Sequence, residues 1–255
     1  MDKIIIANWK MNPPTLDEAL ELFDFYLNEI SECHNIQLVV CSPFVYLEEL
    51  AKRLETRNQK LETISLGAQD LFWEQSGPYT GEISVGMLKN LGVTHVLVGH
   101  SDRRYKIGES DEVINKKIKA ALEADIVPVL LVGERERDDD RQAVLEQQLS
   151  ADLAGLTAEQ VSKILITYEP VWAISTTPDS EPDTPQNTLE AIKIIEEVLA
   201  SSVQGPASRF LYGGSVNSQN VSDFLQHPEL SGAVIGGSSL RKDEFGEILK
   251  ISAGL

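Results

Sequence analysis

Cysteine and histidine, which build disulfide frameworks and most metal sites, are scarce in this sequence. Its 255 residues include two cysteines, Cys33 and Cys41, and four histidines. The two cysteines have neither the spacing of a zinc site nor enough partners for a disulfide-stapled fold. We therefore expect a reducing, cytoplasmic location and no bound metal.

Positive charge is also in short supply. The chain has 22 lysine and arginine residues against 40 aspartate and glutamate residues, which gives a formal net charge of −18. A surface this acidic argues against nucleic acid and against an anionic membrane as partners. An anionic substrate therefore has to be attracted by a local field rather than by the field of the whole chain.

Long apolar segments and nucleotide-binding motifs are missing. No stretch approaches the roughly 20 apolar residues of a membrane-spanning helix. The apolar run at residues 4–7 is too short for a secretory signal. No Gly-x-Gly-x-x-Gly or Walker pattern follows an apolar run, so we expect no dinucleotide or ATP cofactor.

Eight short apolar runs, rich in β-branched residues, recur along the chain. Continuous apolar runs of this length are typical of parallel strands that are buried on both faces. The runs cover residues 3–7, 36–41, 63–68, 95–99, 126–133, 163–169, 209–214 and 233–237.

Helical patterns separate most of these runs. Apolar stripes predict helices over 15–31 and 111–124, and Thr184 before a proline predicts the start of another. The stretch 70–90 is less regular and predicts only a short helix. Eight β–α units in a chain of this length indicate one (β/α)8 barrel domain over 1–255. A doubly wound sheet is the alternative, because alternation alone fits both folds.

Polar residues stand where the predicted strands end, and in a barrel these ends build the active site. The first strand leads into Asn8 and Lys10. The fourth leads into His100, and the sixth ends at Glu169. Taken singly, each has an ordinary structural interpretation, such as a loop cation or a helix-capping carboxylate. His95 lies at the N-terminal end of its strand and is interpreted as structural.

Glycine-rich turns end the last two predicted strands, at 213–215 and 236–238. Backbone N–H groups at such turns bind phosphate, and the loops after strands seven and eight are the usual phosphate site of a barrel. A carboxylate can abstract a proton beside a carbonyl, an imidazole can polarise the carbonyl oxygen, and a lysine can stabilise the developing charge. The set therefore permits proton transfer on a phosphorylated substrate.

Five segments resemble the signature segments of the triosephosphate isomerase family: "NWKMN", "GHSDRR", "YEPVWAI", "YGGSV" and "GGSSL". The likeness extends over essentially the whole chain, with the segments in the family's order. It implies a TIM barrel that interconverts dihydroxyacetone phosphate and D-glyceraldehyde 3-phosphate without a cofactor. The reaction would proceed by proton transfer through an enediolate, in glycolysis and gluconeogenesis.

The resemblance also implies the role of each site residue. Glu169 would move the proton between adjacent carbons, and a neutral His100 beside a helix N-terminus would be the electrophile. Lys10 would stabilise the substrate's charge, and Asn8 would help to position it. Backbone groups of four residues would bind the phosphate: Ser175, Ser215, Gly236 and Gly237.

The segment after Glu169 corresponds to the family's lid but departs from its usual sequence. Residues 175–184 form a longer lid without the family's glycines, and Ser175 stands where a phosphate-binding glycine is usual. We expect its three acidic residues to face solvent, because burial beside a phosphate would be repulsive. Asp102 also departs from the family, which nearly always has glutamate there, and the loop after the fifth strand, "GERERDDDRQ", is shorter than usual.

The segment 71–80 is too apolar for a free loop. It either packs on its own barrel or inserts into a second subunit, and the resemblance favours a homodimer through this segment.

Two other functions fit the same fold. One is a catalytically inactive barrel that binds phosphate ligands or partners, and the other is a different phosphate-handling enzyme. An inactive relative would be expected to have lost Lys10, His100 or Glu169. All three are present, and a different reaction would be expected to alter the pair of histidine and glutamate, so the isomerase is favoured.

Overall fold

The computed structural model describes residues 2–56, 63–202 and 208–255. Its eight strands are β1 (Lys3–Asn8), β2 (Ile36–Ser42), β3 (Ile64–Ala68), β4 (Val93–Val98), β5 (Val127–Val132), β6 (Leu165–Tyr168), β7 (Arg209–Tyr212) and β8 (Leu230–Ile235). All neighbours are parallel and follow chain order, and β1 closes the ring against β8. This closure confirms the (β/α)8 barrel and excludes the doubly wound sheet, which is open.

Helices follow the strands around the outside of the barrel. The described α-helices are α1 (Leu16–Ser31), α2 (Phe44–Thr56), α3 (Val85–Asn90), α4 (Asp111–Glu123), α5 (Arg141–Asp152), α6 (Ala158–Val161), α7 (Pro185–Ser202), α8 (Val221–Leu225) and α9 (Lys242–Ala253). Short polar side chains begin several of them. The Thr15 hydroxyl accepts the Glu18 N–H at 3.3 Å, and the Thr184 hydroxyl accepts the Asn187 N–H at 3.3 Å. Within the described residues no helix combines the length and the apolar character that a membrane crossing requires.

The strand boundaries differ from the predicted runs by a few residues. β4 begins at Val93, so that His95 is its third residue, and β8 begins at Leu230 rather than at 233. The polar or small residues at these strand starts interrupt the apolar pattern. β6 ends at Tyr168, although the Glu169 N–H still bonds to the Val132 carbonyl at 2.8 Å.

Two apolar layers hold the barrel together. Because side chains alternate along a strand, one set fills the inside and the other packs on the helices. The inner set is Ile4, Ile6, Val39, Cys41, Leu97, Val129, Leu131, Leu165, Leu211 and Val234. The intervening residues, such as Ile5 and Ala7, belong to the larger layer between strands and helices. The packed interior leaves the C-terminal mouth as the place where strand-end side chains can meet.

Candidate active site

Two of the predicted site residues extend the inward-facing rows of the barrel. Asn8 follows Ile4 and Ile6 in β1 at intervals of two residues, and Glu169 follows Leu165 in the same way beyond the end of β6. Both side chains are therefore directed to the mouth of the barrel. Asn8 is 4% exposed and Glu169 is 3% exposed, so two polar side chains lie buried at the top of an apolar interior.

The carboxylate of Glu169 lies between an imidazole and a backbone donor. Its Oε2 accepts the N–H of Ser101 at 2.9 Å, and its Oε1 lies 3.2 Å from Nε2 of His100. Gly133 at the end of β5 permits this placement, because a Cβ there would overlap the backbone of Glu169. The structure therefore brings the predicted base and the predicted electrophile into direct contact.

The tautomer of His100 follows from its second nitrogen. The backbone N–H of Asp102 donates to Nδ1 at 3.0 Å. A nitrogen that accepts a hydrogen bond carries no proton, so the proton of a neutral ring is on Nε2, facing Glu169 and the cavity. This is the arrangement needed to donate a hydrogen bond to a substrate oxygen.

A π-helical turn over Asp102–Ile107 provides this N–H and is held by Arg104. The guanidinium donates to the carbonyl of Gly99 at 2.7 Å and pairs with Asp111 and Asp152, each at 2.5 Å. Gly99 has a φ of +75°, and a Cβ there would lie 2.7 Å from the guanidinium. The turn after β4 is thus anchored to α4 and α5 by a largely buried cation.

Lys10 adopts a left-handed backbone conformation, with a φ of +52°. Such a conformation costs roughly 1–2 kcal/mol in a residue with a Cβ. Two hydrogen bonds hold it: the Lys10 N–H donates to Oδ1 of Asn8 at 2.9 Å, and Nε2 of Gln69 donates to the Lys10 carbonyl at 2.7 Å. Asn8 therefore shapes the loop that carries the cation.

Asp102 binds the ammonium group of Lys10 at 3.0 Å and that of Lys106 at 2.7 Å. Burial opposes ionisation of Asp102, but the hydrogen bond from Lys106 and the charge and hydrogen bond of Lys10 outweigh it and lower its pKa to about 2. The aspartate that replaces the family's glutamate therefore still reaches Lys10, and the shorter side chain leaves no gap between the two groups.

A cavity of about 320 Å³ lies at the mouth of the barrel. The residues with predicted site roles all line it: Asn8, Lys10, His100, Glu169, Ser175, Ser215, Gly236 and Gly237. The glycine-rich loops after β7 and β8 form the wall beyond Lys10, and a Cβ on Gly236 would lie 3.4 Å from Cε of Lys10. The cavity thus brings the backbone of the glycine-rich loops and the side chains of Lys10, His100 and Glu169 to one space, with Lys10 next to Gly236.

A buried carboxylate that sequence reasoning missed supports the segment after Glu169. Glu134 is 1% exposed, and its Oε1 accepts from the Tyr168 hydroxyl at 2.7 Å and from Nε1 of Trp172 at 3.0 Å. Arg141 donates to the same oxygen at 3.2 Å. In the sequence Glu134 belongs to a run of charged residues, which gives no sign that it is buried.

The lid carries one correction to the sequence analysis. Asp179 and Glu181 are exposed, as expected, but Asp183 is not free in solvent. Its oxygens accept from Nδ2 of Asn187 at 2.6 Å and from the hydroxyl of Thr188 at 2.8 Å. Burial raises the pKa of Asp183. The fold brings the first turn of α7 against this residue, so Asp183 serves the helix start rather than the solvent face of the lid.

A second residue that the sequence analysis missed is Arg241, which also lines the cavity. It directly follows the turn Gly237–Leu240 and is exposed. In the sequence, a basic residue at this position suggests only a surface residue. Over residues 2–56, 63–202 and 208–255, no group of three or more metal-ligating side chains is found.

Comparison with known proteins agrees with the geometry. The sequence matches the family profile described as Triosephosphate isomerase over residues 3–252. A triosephosphate isomerase of Endomicrobium trichonymphae is 41% identical over 254 residues, which cover 98% of each protein. One of Dictyoglomus thermophilum is also 41% identical, over 97% of this chain and 98% of the relative.

A solved structure gives the same result. The crystal structure of triosephosphate isomerase from Bartonella henselae superimposes with a TM-score of 0.80 and 32% sequence identity, over 98% of this chain and 99% of that chain. The chain belongs to the triosephosphate isomerase family, and it is an isomerase of triose phosphates.

Proposed function

We propose that this member of the triosephosphate isomerase family uses Glu169 as the base, His100 as the electrophile and Lys10 as the cation of its reaction. The observation that supports these roles is the convergence of the three side chains on one cavity of about 320 Å³ that the glycine-rich loops also line. We further infer that the whole chain acts as one domain.

The substrate's phosphate would bind to the backbone N–H groups of Ser215, Gly236 and Gly237. Helix and turn N-termini carry partial positive charge, which suits a dianion in a chain of net charge −18. A phosphate held there directs the carbonyl end of the substrate towards the other wall of the cavity, where Glu169 and His100 lie.

Proton transfer would then proceed in two steps. Glu169 takes a proton from the carbon beside the carbonyl, while Nε2–H of His100 and the ammonium group of Lys10 stabilise the oxygen that becomes negative. The same carboxyl group returns the proton to the neighbouring carbon, while the hydroxyl proton of the first carbon passes to the former carbonyl oxygen, and together these transfers convert ketose to aldose. For this, Glu169 has to leave the N–H of Ser101, to which it is bonded at 2.9 Å.

Residues 174–181 would close over the bound substrate. The segment begins after the turn Val171–Ala173 and returns to it, because the Glu181 N–H donates to the Trp172 carbonyl at 3.2 Å. We propose that closure brings the N–H of Ser175 to the phosphate and excludes water from the enediolate.

The segment 71–80 would join two copies of the chain. The ring of Phe72 packs at a tilt against those of Trp73 and Tyr79, with ring centroids 4.0 Å and 4.6 Å apart, and Tyr79 is 41% exposed. Trp73 also packs on the core of its own barrel. Met11, in the loop after β1, and Val45, in the first turn of α2, are also exposed, at 93% and 78%, and could contribute to the same apolar interface.

We also infer a cytoplasmic enzyme of glycolysis and gluconeogenesis, from the family's reaction and from two free, buried cysteines.

The reaction is tested by incubating purified protein with D-glyceraldehyde 3-phosphate in D₂O. Conversion to dihydroxyacetone phosphate should be accompanied by solvent deuterium on carbon, which ¹H NMR detects. Turnover without deuterium would contradict a base that exchanges its proton with solvent, and no turnover would contradict the isomerase roles altogether.

A further inference from the structure

Arg241 lies at the junction of the two glycine-rich loops. Its Nη2 atom is 3.4 Å from Oγ of Ser238, and this hydroxyl in turn donates to the carbonyl of Val216 at 2.7 Å. Ser238 therefore ties the turn after β8 to the loop after β7. The guanidinium of Arg241 contacts this serine, and Arg241 lines the same cavity as Gly236 and Gly237.

The charge of Arg241 is not neutralised by a neighbour. Within the described residues Arg241 forms no ion pair, whereas Lys10, which lines the same cavity, is paired with Asp102 at 3.0 Å. The nearest glutamate along α9, Glu244, accepts the N–H of Ser218 at 2.7 Å instead. Of the two basic residues that line the cavity, Arg241 is thus the one without a carboxylate partner in the described part of the chain.

We propose that Arg241 is a substrate-binding residue that recognises the phosphate dianion at the rim of the cavity. A guanidinium presents several N–H donors in a plane and matches the oxygens of a phosphate better than an ammonium group does. A local cation also matters more in a chain of net charge −18, because the field of the whole protein repels a dianion. This inference rests on the phosphate site proposed above.

The proposal predicts which kinetic constants depend on Arg241. The side chain is exposed and contacts Ser238 in the turn after β8, whereas Glu169 and His100 contact each other after β6 and β4. Its removal should weaken capture of the phosphate and leave the chemistry on a substrate without phosphate unchanged. Because the interaction is between exposed charges, added salt should screen it.

The experiment compares Arg241→Gln, Arg241→Lys and Lys242→Gln. Lys242 is a matched control: it is the next residue, its loss changes the net charge equally, and it pairs with Glu21 outside the cavity. We measure kcat/KM for D-glyceraldehyde 3-phosphate from low to high ionic strength, the inhibition constant of inorganic phosphate, and kcat/KM for D-glyceraldehyde.

At low salt Arg241→Gln should lower kcat/KM for the phosphorylated substrate about tenfold, as expected for one charge near a dianion at a wet surface. It should weaken phosphate inhibition in parallel and leave D-glyceraldehyde turnover unchanged. Arg241→Lys should lie between the parent and Arg241→Gln, and Lys242→Gln should remain within a factor of two of the parent.

Three results would overturn the role proposed for Arg241, and a fourth would overturn the phosphate site on which it rests. Equal losses for Arg241→Gln and Lys242→Gln would mean that only net charge matters, and equal losses on both substrates would mean that Arg241 supports the turn structurally. A parent enzyme that phosphate does not inhibit would instead count against the phosphate site itself. An inhibited parent with an unaffected Arg241→Gln variant would count against Arg241 alone.

Discussion

The ammonium nitrogen of Lys10 lies 3.0 Å from Oδ2 of Asp102 and thereby joins the loop after β1 to the turn after β4. Lys10 also has a left-handed backbone, so both its main chain and its side chain are held in place. The aspartate acts on both reactive groups, since its backbone N–H sets the tautomer of His100 and its carboxylate orients the cation. The site is thus organised by a residue that we do not expect to touch the substrate.

Replacing Asp102 with asparagine should make the stability of the enzyme depend less on pH in the acid range. The pKa of Asp102 is lowered to about 2 in the folded protein, against about 4 in an unfolded chain. Its stabilising contribution is therefore complete above about pH 4 and is lost as the pH falls to about 2. The free energy of unfolding, measured in urea, should be about 1–2 kcal/mol larger for the parent than for Asp102→Asn above pH 4.

This difference should shrink towards pH 2. Asp138 is exposed, and Asp138→Asn serves as the control, which should show no such trend. A gap between the parent and Asp102→Asn that is constant from pH 5 to pH 2 would contradict an ionised pair with Lys10.

Replacing Glu169 with glutamine should remove most activity and keep the fold. The amide oxygen can still accept the N–H of Ser101, which now bonds to Oε2 at 2.9 Å, but an amide is not a base. Loss of a general base should lower kcat by about 10²–10⁴. The free energy of unfolding should stay within about 1 kcal/mol of the parent. A variant that turned over within a factor of two of the parent would exclude the proton-transfer role.

Charged substitutions on the exposed apolar loops should dissociate the proposed dimer. The parent should sediment at about twice the chain mass of 28.2 kDa. Met11→Asp and Tyr79→Asp place a charge where we expect a partner, so both should shift the protein towards the monomer at micromolar concentration. Leu255 is also apolar and 53% exposed, and Leu255→Asp should remain dimeric. A monomeric parent would contradict the interface.

The barrel could be predicted because parallel strands buried on both faces leave uninterrupted apolar runs, whose number and spacing few folds share. The meeting of Lys10, His100 and Glu169 at one cavity could be predicted because all eight strands point the same way, so that residues far apart in the chain end at one mouth. Their order and spacing also match one family.

The residues that were missed owe their roles to contacts between distant elements. Glu134 stands in a charged run, yet Tyr168, Trp172 and Arg141 bury it. Asp183 was expected in solvent, but the start of α7 packs against it. Neither periodicity nor strand-end position marks such a residue, because burial of a carboxylate depends on partners that only the folded chain supplies.

The last prediction concerns the lid, whose sequence departs most from the family. The Thr177 hydroxyl donates to the carbonyl of Val171 at 2.8 Å, and its N–H donates to the carbonyl of Ile174 at 2.8 Å. The Glu181 N–H returns to the carbonyl of Trp172 at 3.2 Å. Residues 176–180 thus form a protruding part of the lid whose two ends lie close together. Deleting them should therefore leave the turn Val171–Ala173 and the barrel intact.

Deletion of 176–180 should raise the share of turnovers that end in methylglyoxal. The enediolate carries its phosphate on the next carbon and can expel it unless a closed site holds the bond in an unfavourable orientation and excludes water. Asp179, which has a φ of +55°, offers a control: Asp179→Gly keeps the length of the lid and suits that conformation. Methylglyoxal and dihydroxyacetone phosphate are measured together from D-glyceraldehyde 3-phosphate. The ratio of methylglyoxal to dihydroxyacetone phosphate should rise in the deletion variant and stay at the parent's value in Asp179→Gly. An unchanged ratio in the deletion variant would mean that this segment is not the lid.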